Sequence, residues 1–259
     1  MTAVERPVPC SWPRLRTWRP EKKAVADWLY FKYGKVPTAA VGATLLIVAL
    51  ALQFGSRRYN TWIYWLAVVA VSVTGTMAAD GLHILVHLPY TETTTLYGIV
   101  LAVIFVAWYA SERTLSIHSI TSVRREAFYW AAVMATFALG TALGDLTAYT
   151  MKIGFFSSAV IFLVLIAIPA VSYRWFGMNS VLAFWFAYTV TRPLGASIAD
   201  WFGVPASVGG LAWGRGVAAL VMSVPIVIAV GYMAVTHVDV ARGSRAIAGR
   251  PARARHRAV

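Results

Sequence analysis

Charge is what this chain has least of: 13% of its 259 residues are Asp, Glu, Lys or Arg, where soluble domains carry roughly 25%. A surface that poor in charge cannot all face water, which excludes an ordinary soluble domain. Cysteine is nearly absent as well. Cys10 stands alone, so an intrachain disulfide and a cysteine-based metal cluster are both excluded. The chain has no P-loop, no Gly-x-Ser-x-Gly elbow and no His-Glu-x-x-His segment. The common signatures of nucleotide hydrolysis, acyl transfer and zinc proteolysis are therefore missing. The basic, Pro-rich N-terminus lacks an early apolar stretch, so no cleavable signal peptide is expected there.

What fills the chain is apolar. Hydrophobic residues make up 59%, with 11 Trp and 12 Tyr, the aromatic types that settle at membrane interfaces. Several runs approach the roughly 20 residues needed to cross a hydrocarbon core of about 30 Å. The pattern predicts an all-α, polytopic integral membrane bundle of about seven transmembrane helices, near residues 38–54, 60–86, 95–111, 127–150, 153–173, 180–200 and 208–236. Residues 1–36 read as a basic polar tail, in which Ala24–Phe31 is expected to lie as an interfacial helix. Residues 37–236 form the transmembrane domain, and residues 237–259 an Arg-rich tail expected to be disordered.

The net charge of +13 sits mainly at the two ends, with eight of 23 Lys and Arg in residues 1–37 and six after residue 241. Basic tails beside apolar spans bind anionic lipid headgroups and set topology. No basic stripe lies on a nucleic-acid recognition module, so nucleic acid is not an expected partner. Arg57, Arg58, Arg113, Arg124, Arg125 and Arg174 occupy the connections after the first, third and fifth spans, against Lys152 alone after the second, fourth and sixth. The positive-inside rule assigns the first set and the C-terminal tail to the cytoplasm. Seven spans then leave the basic N-terminal tail outside, against the same rule.

Three segments align without gaps: Tyr64-Trp65 through Gly75 to Asp80, Tyr129-Trp130 through Gly140 to Asp145, and Phe184-Trp185 through Gly195 to Asp200. In each, Trp stands 15 residues before the Asp, Gly stands five before it, and Ala79, Gly144 or Ala199 precedes it directly. A plainer apolar span follows each segment, giving two-helix repeat units over residues 60–111, 125–173 and 180–236. Fifteen helical residues rise about 22 Å. If Trp65, Trp130 and Trp185 mark one interface, all three aspartates lie in the far part of the same slab. Gly75/Ala79, Gly140/Gly144 and Gly195/Ala199 are small-xxx-small pairs that allow close helix approach.

The segments Phe128-Tyr129-Trp130…Gly140-Thr141…Gly144-Asp145 and Phe184-Trp185…Thr191-Arg192-Pro193-Leu194-Gly195-Ala196…Asp200-Trp201 resemble a bacterial family of multi-pass, uncharacterised membrane-anchored proteins. That family carries four or five copies of a repeat of unknown function. The resemblance covers residues 60–236 and implies a bacterial cytoplasmic membrane location. It brings no activity with it. At the N-terminus a polar segment and one span stand in place of a complete first unit.

Ionisable groups inside a membrane cost roughly 2.5–3.5 kcal/mol on insertion scales and usually line a pathway or meet a partner. Asp80, Asp145 and Asp200 qualify, although duplication copies structural residues as faithfully as functional ones. Arg192 falls mid-span before Pro193, which should kink its helix. It reads either as an ion-pair partner of one aspartate or as a tethered cation that a substrate or proton displaces. Asp80, His83 and His87 fall within about 60° of one another on a helix and offer metal-ligand types, with Glu92 near. A lone His-x-x-x-His is a weak signal, and interfacial histidines are the plainer reading. His118, His237 and His256 have no evident partner.

Three functions follow in order of support. The first is a secondary transporter of a small cation, divalent or proton-coupled, with no resident cofactor required. The second is a structural or interaction protein whose repeats serve packing alone. The third, an intramembrane lipid-modifying enzyme, would rest on Asp145, or on Asp80 with His83; enzymatic activity is not the expectation.

Overall fold

A computed structural model describes residues 35–236, apart from 57–59, 118, 119 and 121. Both tails, Arg57, Arg58, His118, His237 and His256 lie outside the described residues. The described chain is all-helical: α1 (Lys35–Gly55), α2 (Thr61–Leu85), α3 (Tyr90–Glu112), α4 (Val123–Asp145), α5 (Phe155–Phe176), α6 (Ser180–Gly203) and α7 (Arg215–Thr236). Leu146–Thr150 continues α4 as a π-turn, and Ala206–Val208 forms a 3₁₀ turn before α7.

Among the described residues five helices are long and apolar enough to cross a membrane: α2, α3, α4 with its π-turn, α5 and α7. Helix α1 is apolar over Ala39–Gly55, and of the other expected spans α6 falls short for a physical reason. In α6, Arg192, Pro193 and Asp200 interrupt the apolar run. The outward faces of α5 and α7 carry large exposed apolar residues, Leu163, Val164, Val224, Ile228 and Val235 among them. In water that surface would be a severe liability; in hydrocarbon it is the solvated face.

The two helices of each repeat differ in how they start. The Asp-bearing helices all receive a side-chain cap. Asn60 accepts from the Trp62 and Ile63 amides at 2.9 and 3.4 Å. Ser122 accepts from the Arg125 amide at 3.3 Å, and Asn179 from those of Val181 and Leu182 at 2.9 and 3.4 Å. The plainer helices α3 and α5 start instead after a left-handed residue, His87 (φ 61°) or Lys152 (φ 56°). Each of these lies seven positions beyond its repeat's Asp. The repeat thus extends to the backbone of its turns.

Helices α2, α4 and α6 form an inner arc in which α4 packs against both others. Outside it, α1 packs on α2, α3 on α4 and α5 on α6. Helix α4 is the pillar, with 56% of its central window buried against 11% for α7. An aromatic core closes the Trp end of the arc. The Tyr64 and Tyr129 hydroxyls are 2.8 Å apart. Trp185 Nε1 donates to the Leu115 carbonyl at 2.9 Å, and Trp130 Nε1 to Glu126 at 3.4 Å. The Trp65, Trp130 and Trp185 rings meet neighbouring aromatics there edge-on or tilted.

Mid-bundle, the repeat glycines let the inner helices touch. A Cβ on Gly75 would lie 2.7 Å from Phe137 Cβ, and one on Gly140 would collide with Arg192 Cβ and the Arg192–Pro193 backbone. Among the described residues Gly195 has no such neighbour within 4 Å. Identical repeat positions therefore carry unequal loads.

Candidate functional site

The Asp end of the arc is polar. Asp80, Asp145 and Asp200 are each half-buried, at or near the ends of α2, α4 and α6. All three, with Tyr149, act electrostatically on the hydroxyl of Tyr90, the first residue of α3. Asp80 acts as well on Tyr97, two turns further along α3. One tyrosine is therefore common to the carboxylates of all three repeats.

The position of Tyr90 is built from both sides. Its ring stacks on His83 at 3.9 Å between centroids, with planes 16° apart. On the Tyr149 side the separation is 6.1 Å and the angle 15°. The π-turn after Asp145 carries Tyr149, and Phe155 meets that ring edge-on at 5.1 Å. A π-turn adds a residue to the helical loop and is frequent at functional sites. His83 Nδ1 lies 2.8 Å from the Leu88 carbonyl, so Nδ1 donates and Nε2 is the ring's basic nitrogen. The site thus combines carboxylates, two phenols and an imidazole at one end of the inner arc. Such groups hold, pass or exchange protons and attract cations.

The histidine metal site expected from spacing is not built. Helix α2 stops at Leu85, because Pro89 lacks an amide to continue the ladder and restricts the residue before it. Leu82 O instead accepts from the Val86 and Leu88 amides, both at 3.3 Å. His87 then takes a left-handed backbone and is exposed, off the face shared by Asp80 and His83. Glu92 is exposed in the first turn of α3, where the helix dipole favours a carboxylate. Among the described residues no three His, Cys, Asp or Glu side chains are placed to hold one metal ion. All three aspartates lie within electrostatic reach of Tyr90.

Arg192 lies away from this cluster, eight residues before Asp200. Its Cζ sits 3.8 Å from the Phe137 ring centroid and 4.3 Å from that of Tyr188. Among the described residues the guanidinium meets these two rings and not an aspartate, in contrast to the expected ion pair. Tyr188 is one turn before Arg192 on α6, and Phe137 reaches in from α4 beside Gly140. Buried Nε has no hydrogen-bond partner among the described residues. Aromatic faces attract a guanidinium by about 2 kcal/mol or more when water is excluded.

Sequence reasoning singled out the aspartates and Arg192 as candidates and passed over Tyr90, Tyr149, Phe137 and Tyr188, which lie near them. Tyrosines in an apolar chain look like interfacial anchors, and nothing in their spacing separates a buried phenol from an anchoring one. The available signal was Tyr149, four residues after Asp145 and so on the same helical face.

No curated protein and no solved structure matches this chain. A family model described as Repeat of Unknown Function (DUF347) matches three times, over residues 63–114, 128–178 and 183–239. Those copies coincide with the three Asp-bearing units within a few residues and together cover more than half the chain. The protein is a multi-pass membrane helical bundle that belongs to the family built from this repeat of unknown function.

Proposed function

We propose that the protein is a secondary transporter of a small cation, coupled to protons through the aspartate cluster. What supports this reading is that the three inner helices pack in one arc, with α4 against both others, and each carries its half-buried repeat Asp at or near the same end. Carboxylates at membrane depth are costly and tend to persist where a cation or proton must be held and released. Proton coupling suits this arrangement better than a fixed metal site, since a single carboxylate can hold a proton, whereas among the described residues no three ligand side chains are placed to hold one metal ion. Because Arg192 is engaged by Phe137 and Tyr188, its charge does not fill the cluster. The inner helices are parallel repeats meeting at glycines, a construction that lets one unit move against another.

The test uses purified protein in proteoliposomes. Uptake of a panel of monovalent and divalent cations is measured with and without a pH gradient, for the native chain and Asp145→Asn. Gradient-dependent uptake that Asp145→Asn abolishes, with folding unchanged, is the expected result. If no cation moves and Asp145→Asn only lowers stability, the cluster serves packing and the transporter reading is wrong.

A further inference from the structure

A chain of hydroxyls joins the three inner helices and ends on a cation. The Tyr64 hydroxyl of α2 lies 2.8 Å from that of Tyr129 on α4. Tyr129 is hydrogen-bonded in turn to Tyr188 of α6, and Tyr188 to Arg192 one turn further on. The path runs from the Trp end of α2, across α4, to the middle of α6. Beyond it, polar groups resume towards the aspartates. The stem of Arg192 is seated on Gly140. The next residue, Thr141, pairs with Thr76 through their hydroxyls at 3.3 Å. Thr76 and Thr141 each stand four residues, about one helical turn, before Asp80 and Asp145. Arg192 thus occupies the joint between a phenol chain on one side and hydroxyls and carboxylates on the other.

Two features suit Arg192 to stop protons at that joint. A phenol passes a proton by accepting one on its oxygen while releasing its own, so a row of phenols can conduct. A guanidinium has five N–H donors, no acceptor and a permanent charge. It can only donate into Tyr188, which turns the hydroxyl protons outward towards Tyr64 and offers an inbound proton no further oxygen. Its charge also repels a cation arriving from either end, as a fixed arginine does in pores that exclude protons and cations. The second feature is how that charge is held. The Phe137 and Tyr188 rings lie 3.8 and 4.3 Å from its Cζ, and ring quadrupoles attract a cation without neutralising it. Duplication does not account for the pair. In register, Tyr188 and Arg192 correspond to Val133 and Phe137 in the second repeat and to Val68 and Ser72 in the first. The third repeat alone carries them, midway along α6, where a charge is costly.

We propose that Arg192, held on Phe137 and Tyr188 at the end of the phenol chain, is a barrier that keeps protons and small cations from leaking between the Trp end and the aspartates. The path it closes rests on the transport reading, but leakage is read with no transported cation present. Full-length protein is reconstituted in liposomes enclosing a pH-sensitive dye, and valinomycin with a potassium gradient imposes an inside-negative potential. Inward proton leakage is compared for the native chain, Arg192→Met, Arg192→Lys and Arg192→Met combined with Tyr129→Phe. The native chain and Arg192→Lys, which keeps the charge, are expected to leak no faster than protein-free liposomes. Arg192→Met should leak about tenfold faster or more, the rate equivalent of removing one nearby charge from a low-dielectric path. Adding Tyr129→Phe, which removes the middle hydroxyl and keeps the ring, should return the leak to the native level. A tight, monodisperse Arg192→Met overturns the proposal. So does a leak in Arg192→Lys, or one that outlasts the loss of the Tyr129 hydroxyl. Arg192→Gln takes the place of Arg192→Met if the latter does not assemble. If neither neutral variant assembles while Arg192→Lys does, the charge serves folding and the barrier is refuted. Cation uptake by the native chain with no leak in the neutral variants would sink the barrier alone. A leak with no uptake would sink the transport reading alone.

Discussion

Gly75, Gly140 and Gly195 occupy one repeat position, yet their surroundings make opposite demands. A methyl group on Gly140 runs into Arg192 Cβ and the backbone of α6, with no flexible tip to yield. Gly140→Ala is therefore expected to cost about 1–3 kcal/mol, the usual range for overpacking. Among the described residues Gly195→Ala meets nothing within 4 Å and should be neutral or stabilising by up to about 1 kcal/mol, the helix-propensity gain. Reversible unfolding in mixed detergent micelles measures both, and equal effects would show that the arc is not packed as described. The cradle of Arg192 gives a second expectation. Removing the Phe137 ring in Phe137→Leu should lose about 2 kcal/mol of attraction to the guanidinium. In a double-mutant cycle with Arg192→Met that coupling should vanish from the second background; a coupling near zero would mean the ring merely fills space.

Among the elements, the caps mark which helices are pillars. Helices α2, α4 and α6 start on Asn60, Ser122 and Asn179, whereas α3 and α5 start without a side-chain cap bond. Helix α6 needs its cap most, since Pro193 already removes one of its internal hydrogen bonds. Asn179→Ala is expected to lower stability by about 1 kcal/mol, read as an earlier unfolding midpoint. Asn179→Asp should restore most of it, because a carboxylate accepts the same amide bonds. The ion pairs around Glu112 matter less. Arg125 lies 2.7 Å from it, but the second partner, Arg124, is 67% exposed and largely screened.

For the whole molecule, function turns on whether three separate units act on one site. Tyr90→Phe removes the hydroxyl that lies within electrostatic reach of the three aspartates but keeps the stack on His83 and Tyr149. Under the transporter reading it should slow proton-coupled uptake by about tenfold or more, the rate equivalent of a 1.4 kcal/mol change in barrier. Unfolding should stay close to native, since the ring contacts are preserved. Uptake unchanged in Tyr90→Phe would remove the tyrosine from the pathway and leave the aspartates to act alone.

Apolar length and internal repetition alone mark the chain as a repeated helical membrane bundle and place its aspartates along each unit. Bilayer thickness converts apolar length directly into spans, and a 15-residue interval into a depth, with no knowledge of neighbours. The sequence also located Arg192 as an anomaly, because charge in an apolar run is visible without contacts. Tertiary structure decided what each of these residues meets. The Asp80-x-x-His83-x-x-x-His87 spacing presumed a helix that Pro89 ends early. Arg192 found two rings because Gly140 brings α4 against its stem. Tyr90 came within electrostatic reach of the three aspartates because α3 starts at the Asp end of the inner helices. Copies of one unit differ in environment only through their place in the assembly, and that difference is written in packing and not in the repeat.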